Sequence, residues 1–418
     1  MQLLSRAKSL IAQVPLLGWL IAVFCSVLLE SYFGTAIAKG LGLPKVPVLF
    51  GLLIMLKTPA LIPHAVGYVA VVYLLPTSLI AILTASVMNR AADKLLGLSE
   101  LLALAVHTIL LYLILHLWAQ ISDYQLLTLK YTLIMIMLTL SLNVINGYMG
   151  EFSCSHPGFM AMGAYSASVF SMAAFTASSF FGGPLLPEAL GPWLFPVALI
   201  MGGLVTAMGA LVIAVLSFRT RGDYLAVISL AFTFIIKSVI ENLEFVGGPR
   251  GLRGQPDYAS LPVIFLWTVG CVWMINNYVS STMGKALNTI RDDEIAAEAM
   301  TIDTRHTKMV GFMFAAFWAG IAGGLYAHSL RYINPAMFGV QNLAEVLAMV
   351  YFGGLNSVYG SIVGAVSLSL LSEALRPLEI FKWIIIPLLL ILVMVFRPTG
   401  LVAFKEFDVK KLIGPKRV

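Results

Sequence analysis

Between Gly150 and Gly163 the chain reads GEFSCSHPGFMAMG, which sets Ser153, Ser155 and His156 beside Pro157, Gly158 and Phe159. Two hydroxyls and an imidazole offer hydrogen bonds, while glycine and proline interrupt the helix that would otherwise occupy the backbone carbonyls. Such a segment suits contact with a polar solute, and Ser153, Ser155, His156, Gly158 and Phe159 are the candidates to border its path. It also suits an ordinary loop ahead of a helix. His156 could relay a proton, but a neutral histidine beside proline more often caps a helix or bonds a backbone carbonyl. Glu151 is the one carboxylate of this loop.

The second concentration of chemistry is residues 281 to 308, STMGKALNTIRDDEIAAEAMTIDTRHTK, which hold 9 of the 46 formal charges of the chain. A short helix is expected over about 291 to 302. Asp292, Asp293 and Glu294 would fill its first turn after Arg291, where carboxylates meet the positive end of the helix dipole. Ile295, Ala299 and Ile302 then fall on one face at spacings of four and three. That narrow apolar stripe on a polar helix calls for a partner. A membrane-surface helix would bring larger apolar residues and a basic opposite face, so the alanines favour close approach to protein backbone, either a second protein or the chain's own bundle.

No residue set points to catalysis or to a metal. Within the apolar segments no His, Asp and Glu cluster at suitable spacing, and Cys25, Cys154 and Cys271 lie far apart, which suits packing rather than a disulfide framework or a zinc site. A phosphate loop of the form Gly-x-x-x-x-Gly-Lys-Ser/Thr is absent; the nearest fragment, Gly284-Lys285-Ala286, lacks the upstream glycine and the hydroxyl. The chain is expected neither to hydrolyse ATP nor to bind a cofactor.

These segments must be held by a membrane bundle. Of 418 residues 60% are hydrophobic and 11% charged, against about 25% charged in a soluble domain. At about 20 residues per membrane helix the apolar residues supply at most about a dozen spans. Apolar runs lie near 14–33, 66–88, 101–119, 126–145, 157–175, 192–216, 222–240, 261–279 and 309–330, with three more near 340–352, 360–376 and 380–396. The run at 340–352 and the stretch at 47–56 are too short to cross about 30 Å of hydrocarbon and read as re-entrant or half-spanning. The first run resembles a signal peptide, with Lys8 before it and Ala36-Ile37-Ala38 after it, but its long apolar core favours a retained helix.

The net charge of +6 bears on orientation and gives no sign of a nucleic-acid surface. Arg6, Lys8, Arg90, Lys94, Arg219, Arg221, Lys285, Arg291, Arg305 and Lys308 fall on one side of these spans, and the basic tail after residue 396 should join them. Both termini are then cytoplasmic, which requires an even number of spans; twelve segments satisfy it. Arg250 and Arg253 fall outside. Small residues recur every four positions at Gly163, Ala167 and Ser171, at Ala316, Gly320 and Gly324, and at Gly360 and Gly364, as expected of close helix packing in lipid. Asp223 is placed to cap the helix after it, and Lys237 and Glu241 to pair at i and i+4.

The loop from Gly284 to Lys308 resembles the cytoplasmic coupling loop of bacterial ABC importer permeases, in particular the LivM-type permeases of branched-chain amino-acid uptake. The stretches GYMGEFSCSHPGFMAMGAY (147–165), RGDYLAVISL (221–230), GGPRGL (247–252), GGLNSVYGSIVGA (353–365) and RPTGL (397–401) are similar to that family in its order, over about residues 124–402. The resemblance implies an all-α polytopic permease of about 11 to 12 transmembrane or half-spanning helices, with interrupted helices and a cytoplasmic coupling helix. It implies three parts: an N-terminal extension of about three spans (1–123), a permease core (124–402) with its coupling loop at 281–308, and a basic cytoplasmic tail (403–418). Arg291, Asp292, Asp293, Glu294, Ile295, Ala299 and Ile302 would contact the ATPase, and Arg250 and Arg253 a periplasmic or surface substrate-binding protein. The partners so implied are two ABC ATPase subunits, which use ATP and Mg, a second homologous permease subunit, the binding protein and the lipid of the bacterial inner membrane.

Some positions depart from the family pattern. Thr301 stands where a glycine is common, Glu151 where a glutamine is usual, Cys154 and Ser155 where leucine and glycine are typical, and Ser361 where a proline is frequent. The implied solute is a branched-chain or other apolar amino acid, with urea or short amides as the alternative inside the family. An ion-coupled secondary transporter would instead need ionisable residues near span centres. Few are seen; Glu345 is inside the short run at 340–352.

Overall fold

A computed structural model describes residues 11–47, 58–176, 182–218, 224–397, 399–404 and 407–416. The signal-peptide boundary at Lys8, most of the short stretch at 47–56, and Arg219, Arg221 and the capping Asp223 lie outside the described residues. Among the described residues nine helices are long and apolar enough to cross a membrane, and the only strands are two of two residues each. The chain is an all-α polytopic membrane protein. It divides into two compact units.

The first unit comprises residues 1–129, 370–383 and 408–418. Its long helices are α1 (Leu16–Gly40), α2 (Pro59–Leu98) and α3 (Glu100–Ala119). α2 continues well past the apolar run at 66–88: Arg90 and Lys94 lie on its final turns, because the alanines and leucines around them favour helix until Ser99 turns extended at φ −169°. A π turn over Ala70–Leu74 interrupts its regular winding. α1 likewise runs on past the apolar run at 14–33 to Gly40, and Glu30 lies within it. Its carboxylate is buried and accepts hydrogen bonds from the hydroxyls of Tyr68, at 3.1 Å, and Tyr73. A buried carboxylate needs such donors, and Ala38, Leu43, Tyr68 and Val72 form the apolar cluster of this region. A short helix α15 (Val409–Ile413) begins at Asp408, whose Oδ1 accepts from the Lys411 N–H at 3.2 Å. Lys410 pairs with Glu100 at 2.6 Å, and the Lys416 N–H donates to Asn89 Oδ1 at 2.8 Å.

The second unit comprises residues 130–369 and 384–407. It contains most of α4 (Asp123–Met149), then α5 (His156–Phe175), α6 (Gly191–Ser217), α7 (Tyr224–Asn242), α8 (Leu261–Ser280), α9 (Thr282–Asp292), α10 (Glu294–Ala299) and α11 (Thr304–Leu330). Three shorter helices follow: α12 (Val340–Gly353), α13 (Val358–Ala374), whose first turns belong here, and α14 (Lys382–Phe396). The 14 residues of α12 rise about 21 Å at 1.5 Å each, less than the hydrocarbon thickness, as expected of a half-spanning element.

The small residues lie where helices touch. A Cβ on Gly163 would fall 2.1 Å from the Gly320 carbonyl oxygen, and one on Gly323 2.0 Å from that of Met160, so α5 and α11 meet backbone to backbone. Gly202 brings α6 against Gly163 and Ala167, and a Cβ on Gly364 would fall 2.1 Å from the Met349 oxygen. His328 adds a polar contact between α11 and α5: Nδ1 lies 2.8 Å from the Gly324 carbonyl oxygen and Nε2 2.7 Å from Ser171 Oγ. Cys154 and Cys271 are buried and Cys25 half-buried, all as free thiols.

Candidate functional site

α4 does not end in a regular turn. Its last residues, Val144–Met149, wind as a π turn, and Gly150 then takes φ +77°, a left-handed backbone open to glycine at little cost. Residues 150–155 are non-helical, with Ser153, Cys154 and Ser155 buried, before α5 starts at His156, with Pro157 in its first turn where no backbone donor is lost. This is a break inside the bundle at Gly150 and ahead of Pro157, whereas Gly158 and Gly163 lie within the regular helix α5 and do not interrupt it; the backbone of the break finds partners in neighbouring helices. The Cys154 N–H donates to Ser229 Oγ at 2.9 Å, and Thr233 Oγ1 donates to the Cys154 carbonyl at 2.9 Å, both from α7. The Ser153 N–H donates to Asn146 Oδ1 at 3.2 Å.

Ser153, Ser155, His156, Gly158 and Phe159 are all buried here. Ser153 and Ser155 bond each other at 2.8 Å, and His156 Nε2 lies 3.2 Å from Ser141 Oγ while its ring packs edge-on to Phe159. The imidazole therefore bonds Ser141 of α4. The five residues come together as one packed cluster at the head of α5.

The charged loop differs from its expected form. Two helices replace the single one over 291–302. α9 ends at Asp292; Asp293 turns extended at φ −160°, and its Oδ1 accepts from the N–H groups of Ile295 and Ala296, both at 3.0 Å. Arg291 and Asp292 thus finish one helix, Asp293 caps the next, and Glu294 alone of the acidic three lies in the first turn of α10. A carboxylate whose backbone is extended accepts from the free donors at a helix start, and this divides the segment. α10 stops at Ala299. Ile302 is therefore not on its face: it is half-buried after Thr301 turns left-handed, with its N–H on the Ala297 carbonyl at 3.1 Å. Ala297 is the buried residue of α10. Ile295, 77% exposed, and Met300, 74% exposed, stand out with Ala299 as an uncovered apolar tip.

Two cations join this loop to the break. Arg291 Nη1 donates to the Gly147 carbonyl, in the π turn, at 3.2 Å, while its Nε and Nη2 donate to Asp292 Oδ1. Lys308, on the first turns of α11, reaches Glu151 Oε1 at 2.7 Å and Glu294 Oε1 at 2.9 Å. Spacing could not bring out Lys308, which lies 157 residues from Glu151. Asn143 was equally hidden. This buried amide of α4 receives the Asn356 N–H on its Oδ1 at 3.1 Å and donates to Ser361 Oγ at 2.7 Å. A polar residue deep in an apolar run is the signal that could have found it.

Arg250 and Arg253 are both exposed. Arg253 is in the strand β1 (Leu252–Arg253), antiparallel to β2 (Tyr332–Ile333) with Arg253 opposite Tyr332, and its guanidinium lies 4.9 Å from the centre of that ring. Lys237 and Glu241 pair at 3.8 Å, as their spacing predicts.

A family model, described as the permease component of branched-chain amino acid transport systems, matches residues 124–396. The chain belongs to that family. It is 29% identical over 318 residues to the high-affinity branched-chain amino acid transport system permease protein LivM of Salmonella typhimurium, covering 68% of this chain and 71% of the relative. LivM of Escherichia coli is 29% identical over 315 residues, covering 67% and 70%. BraD of Pseudomonas aeruginosa, a permease protein of the same kind of system, is 26% identical over 170 residues, 40% of this chain and 54% of the relative. No solved structure matches.

Membership in the family makes the chain a transport permease, and not an enzyme. Three of the positions that depart from the family pattern now have local accounts. Thr301 adopts φ +65°, so a β-branched residue keeps the backbone conformation a glycine would hold freely. Glu151 supplies the carboxylate that Lys308 grips, and Ser361 accepts from Asn143 while donating to the Ser357 carbonyl at 3.1 Å.

Proposed function

We propose that this chain is the membrane-spanning subunit of an ABC importer that admits branched-chain or related amino acids, driven by ATP hydrolysis in two partner ATPase subunits. The observation that carries this reading is the uncovered apolar tip of Ile295, Ala299 and Met300 on a capped helix whose neighbours Arg291 and Lys308 reach the break in the bundle. Exposed apolar side chains at the end of a polar loop favour protein contact, and the ties to the break give that contact a mechanical consequence. Arg291, Asp292, Asp293, Glu294, Ile295, Ala299 and Ile302 make up the coupling segment, with Ile302 under the tip instead of on it.

Solute passes beside the break. Ser153, Ser155, His156, Gly158 and Phe159 border its path, and their burial fits a closed conformation of that path. Backbone groups released from helix there can meet the charged ends of an amino acid, while the apolar surroundings accept its side chain. A second homologous permease completes the bundle, and a periplasmic or surface binding protein delivers the solute to the face carrying Arg250 and Arg253, whose exposed guanidinium groups suit carboxylates. Nucleotide and Mg stay on the ATPases. Residues 1–123 form an added membrane extension, 124–402 the permease core and 403–418 the tail. The chain lies in the bacterial inner membrane with both termini cytoplasmic; the pairing of Lys410 with Glu100 sets the tail beside the α2–α3 turn and its basic residues, in keeping with that orientation.

The experiment is to tag the chain at its C-terminus in its native cell, purify it in mild detergent and identify what co-purifies. Two ATPase subunits with a second permease are expected, and leucine uptake into vesicles should require ATP. A chain that comes out alone and moves solute on an ion gradient without ATP overturns the reading; ATP-driven uptake of urea with no leucine uptake reassigns the solute.

A further inference from the structure

The Lys308 ammonium is held by carboxylates from two different elements. Glu151 belongs to the break between α4 and α5, and Glu294 opens α10; the distances are 2.7 and 2.9 Å. The lysine side chain is 9% exposed, Glu151 24% and Glu294 47%. An ammonium withdrawn this far from water is unfavourable unless paired, so the lysine holds both carboxylates close. α10 has few other attachments. Of its residues Ala297 alone is buried, and beyond its caps Glu298 Oε1 accepts from Thr304 Oγ1 at 3.2 Å. A displacement of α10 therefore acts directly on the Glu294–Lys308 contact.

We propose that Lys308 is a positioning residue for transport, which ties the place of α10 to the backbone at 150–155 so that movement of α10 reaches the head of α5. The inference rests on the coupling role given to α10 above. One ammonium serving two carboxylates suits the task. When α10 moves away, Lys308 keeps Glu151 and gives up the more exposed partner, so two arrangements lie close in energy without leaving a buried charge unpaired. Arg291 makes a parallel connection from the end of α9 to the Gly147 carbonyl, just before the break. An apolar side chain at 308 would fill the same space, but it would not report which carboxylate is near.

The test uses the whole transporter, purified through the tagged chain and reconstituted with its binding protein, and reads leucine taken up per ATP hydrolysed together with the amount of ATPase recovered. Glu294→Gln and Lys308→Met should lower leucine per ATP by about fivefold or more, the lower end of coupling between linked sites, and Lys308→Met, which lies outside the segment given to ATPase contact, should do so with ATPase recovery unchanged. Lys308→Arg, which keeps the cation, should restore the ratio. Should Lys308→Met fail to accumulate in the membrane, Glu294→Gln alters a half-exposed carboxylate, leaves the Lys308–Glu151 pair in place and carries the test. An unaltered ratio in Glu294→Gln overturns the inference while leaving the importer reading intact. Absence of ATPase from preparations of the unmodified chain overturns both.

Discussion

A Cβ placed on Gly150 would lie 2.3 Å from Arg291 Cγ and 3.0 Å from its Cβ. The stem of the arginine thus lies directly on the glycine that ends α4, while its guanidinium reaches back to the Gly147 carbonyl. Gly150 also has φ +77°. Two independent requirements, left-handed backbone and close approach, therefore meet at one residue. Gly150→Ala is expected to cost about 1–3 kcal/mol through backbone strain together with displacement of Arg291. The thermal midpoint of the detergent-purified protein should fall, and ATP-driven uptake should fall with it; an unchanged midpoint would show that the arginine stem moves aside freely.

Gly163 makes a different kind of contact. Its neighbour is the backbone of Gly320 at 2.1 Å from an added Cβ, and neither helix has a flexible side chain there that could give way. Gly163→Ala should therefore push α5 from α11 and destabilise by about 1–3 kcal/mol. Gly270 in α8 is the control, because a Cβ there meets nothing within 4 Å. Gly270→Ala should be neutral or slightly stabilising, as alanine is the better helix former. Equal amounts of folded protein from both variants would count against glycine-mediated packing of α5 on α11.

These cases show where the sequence is legible. Four-residue spacing of small side chains reveals helix contact because a helix returns to one face every four positions, and Gly163, Gly320, Gly324 and Gly364 lie at contacts for that reason. The break at 150–155 is legible too, since glycine and proline act on their own backbone. The division at Asp293 is harder to read: a carboxylate favours a helix start whether it stands inside the first turn or at the cap, and three acidic residues in a row leave the register open. The π turn at Val144–Met149 has no spacing signature of its own. The grip of Lys308 on Glu151 and Glu294 depends on how α11 lies against the break, so no local pattern contains it.

Thr301 carries a cost that the fold tolerates. At φ +65° its β-branched side chain is crowded against its own backbone, by about 1–2 kcal/mol relative to an ordinary conformation. Glycine removes that strain but loses about 0.5–1 kcal/mol through its greater freedom when unfolded. Thr301→Gly should therefore stabilise the loop between α10 and α11 by about 0.5–1 kcal/mol. Amide exchange at Met300, Thr301 and Ile302, whose N–H groups close this turn on the carbonyls of residues 296–298, should slow accordingly. Faster exchange would mean that the threonine side chain contributes something the strain argument omits.

The tip of α10 offers the sharpest separation between folding and assembly. Ala299 is exposed, and the neighbouring Ile295 and Met300 are exposed more than two-thirds. A long charged side chain at 299 therefore has room in the isolated chain, and Ala299→Arg is expected to leave stability within about 0.5 kcal/mol, as surface substitutions do. In a protein interface the same arginine would face apolar side chains with no assured counter-ion, and desolvating it there costs several kcal/mol. Ala299→Arg should accordingly reach the membrane in normal amount, melt normally, and lose the co-purifying ATPase together with ATP-driven uptake. Ile295→Asp, on the same tip, should act alike. Retention of the ATPase in both variants would mean that the uncovered apolar residues of α10 are not the docking surface, and that the contact must be sought elsewhere along the 281–308 loop.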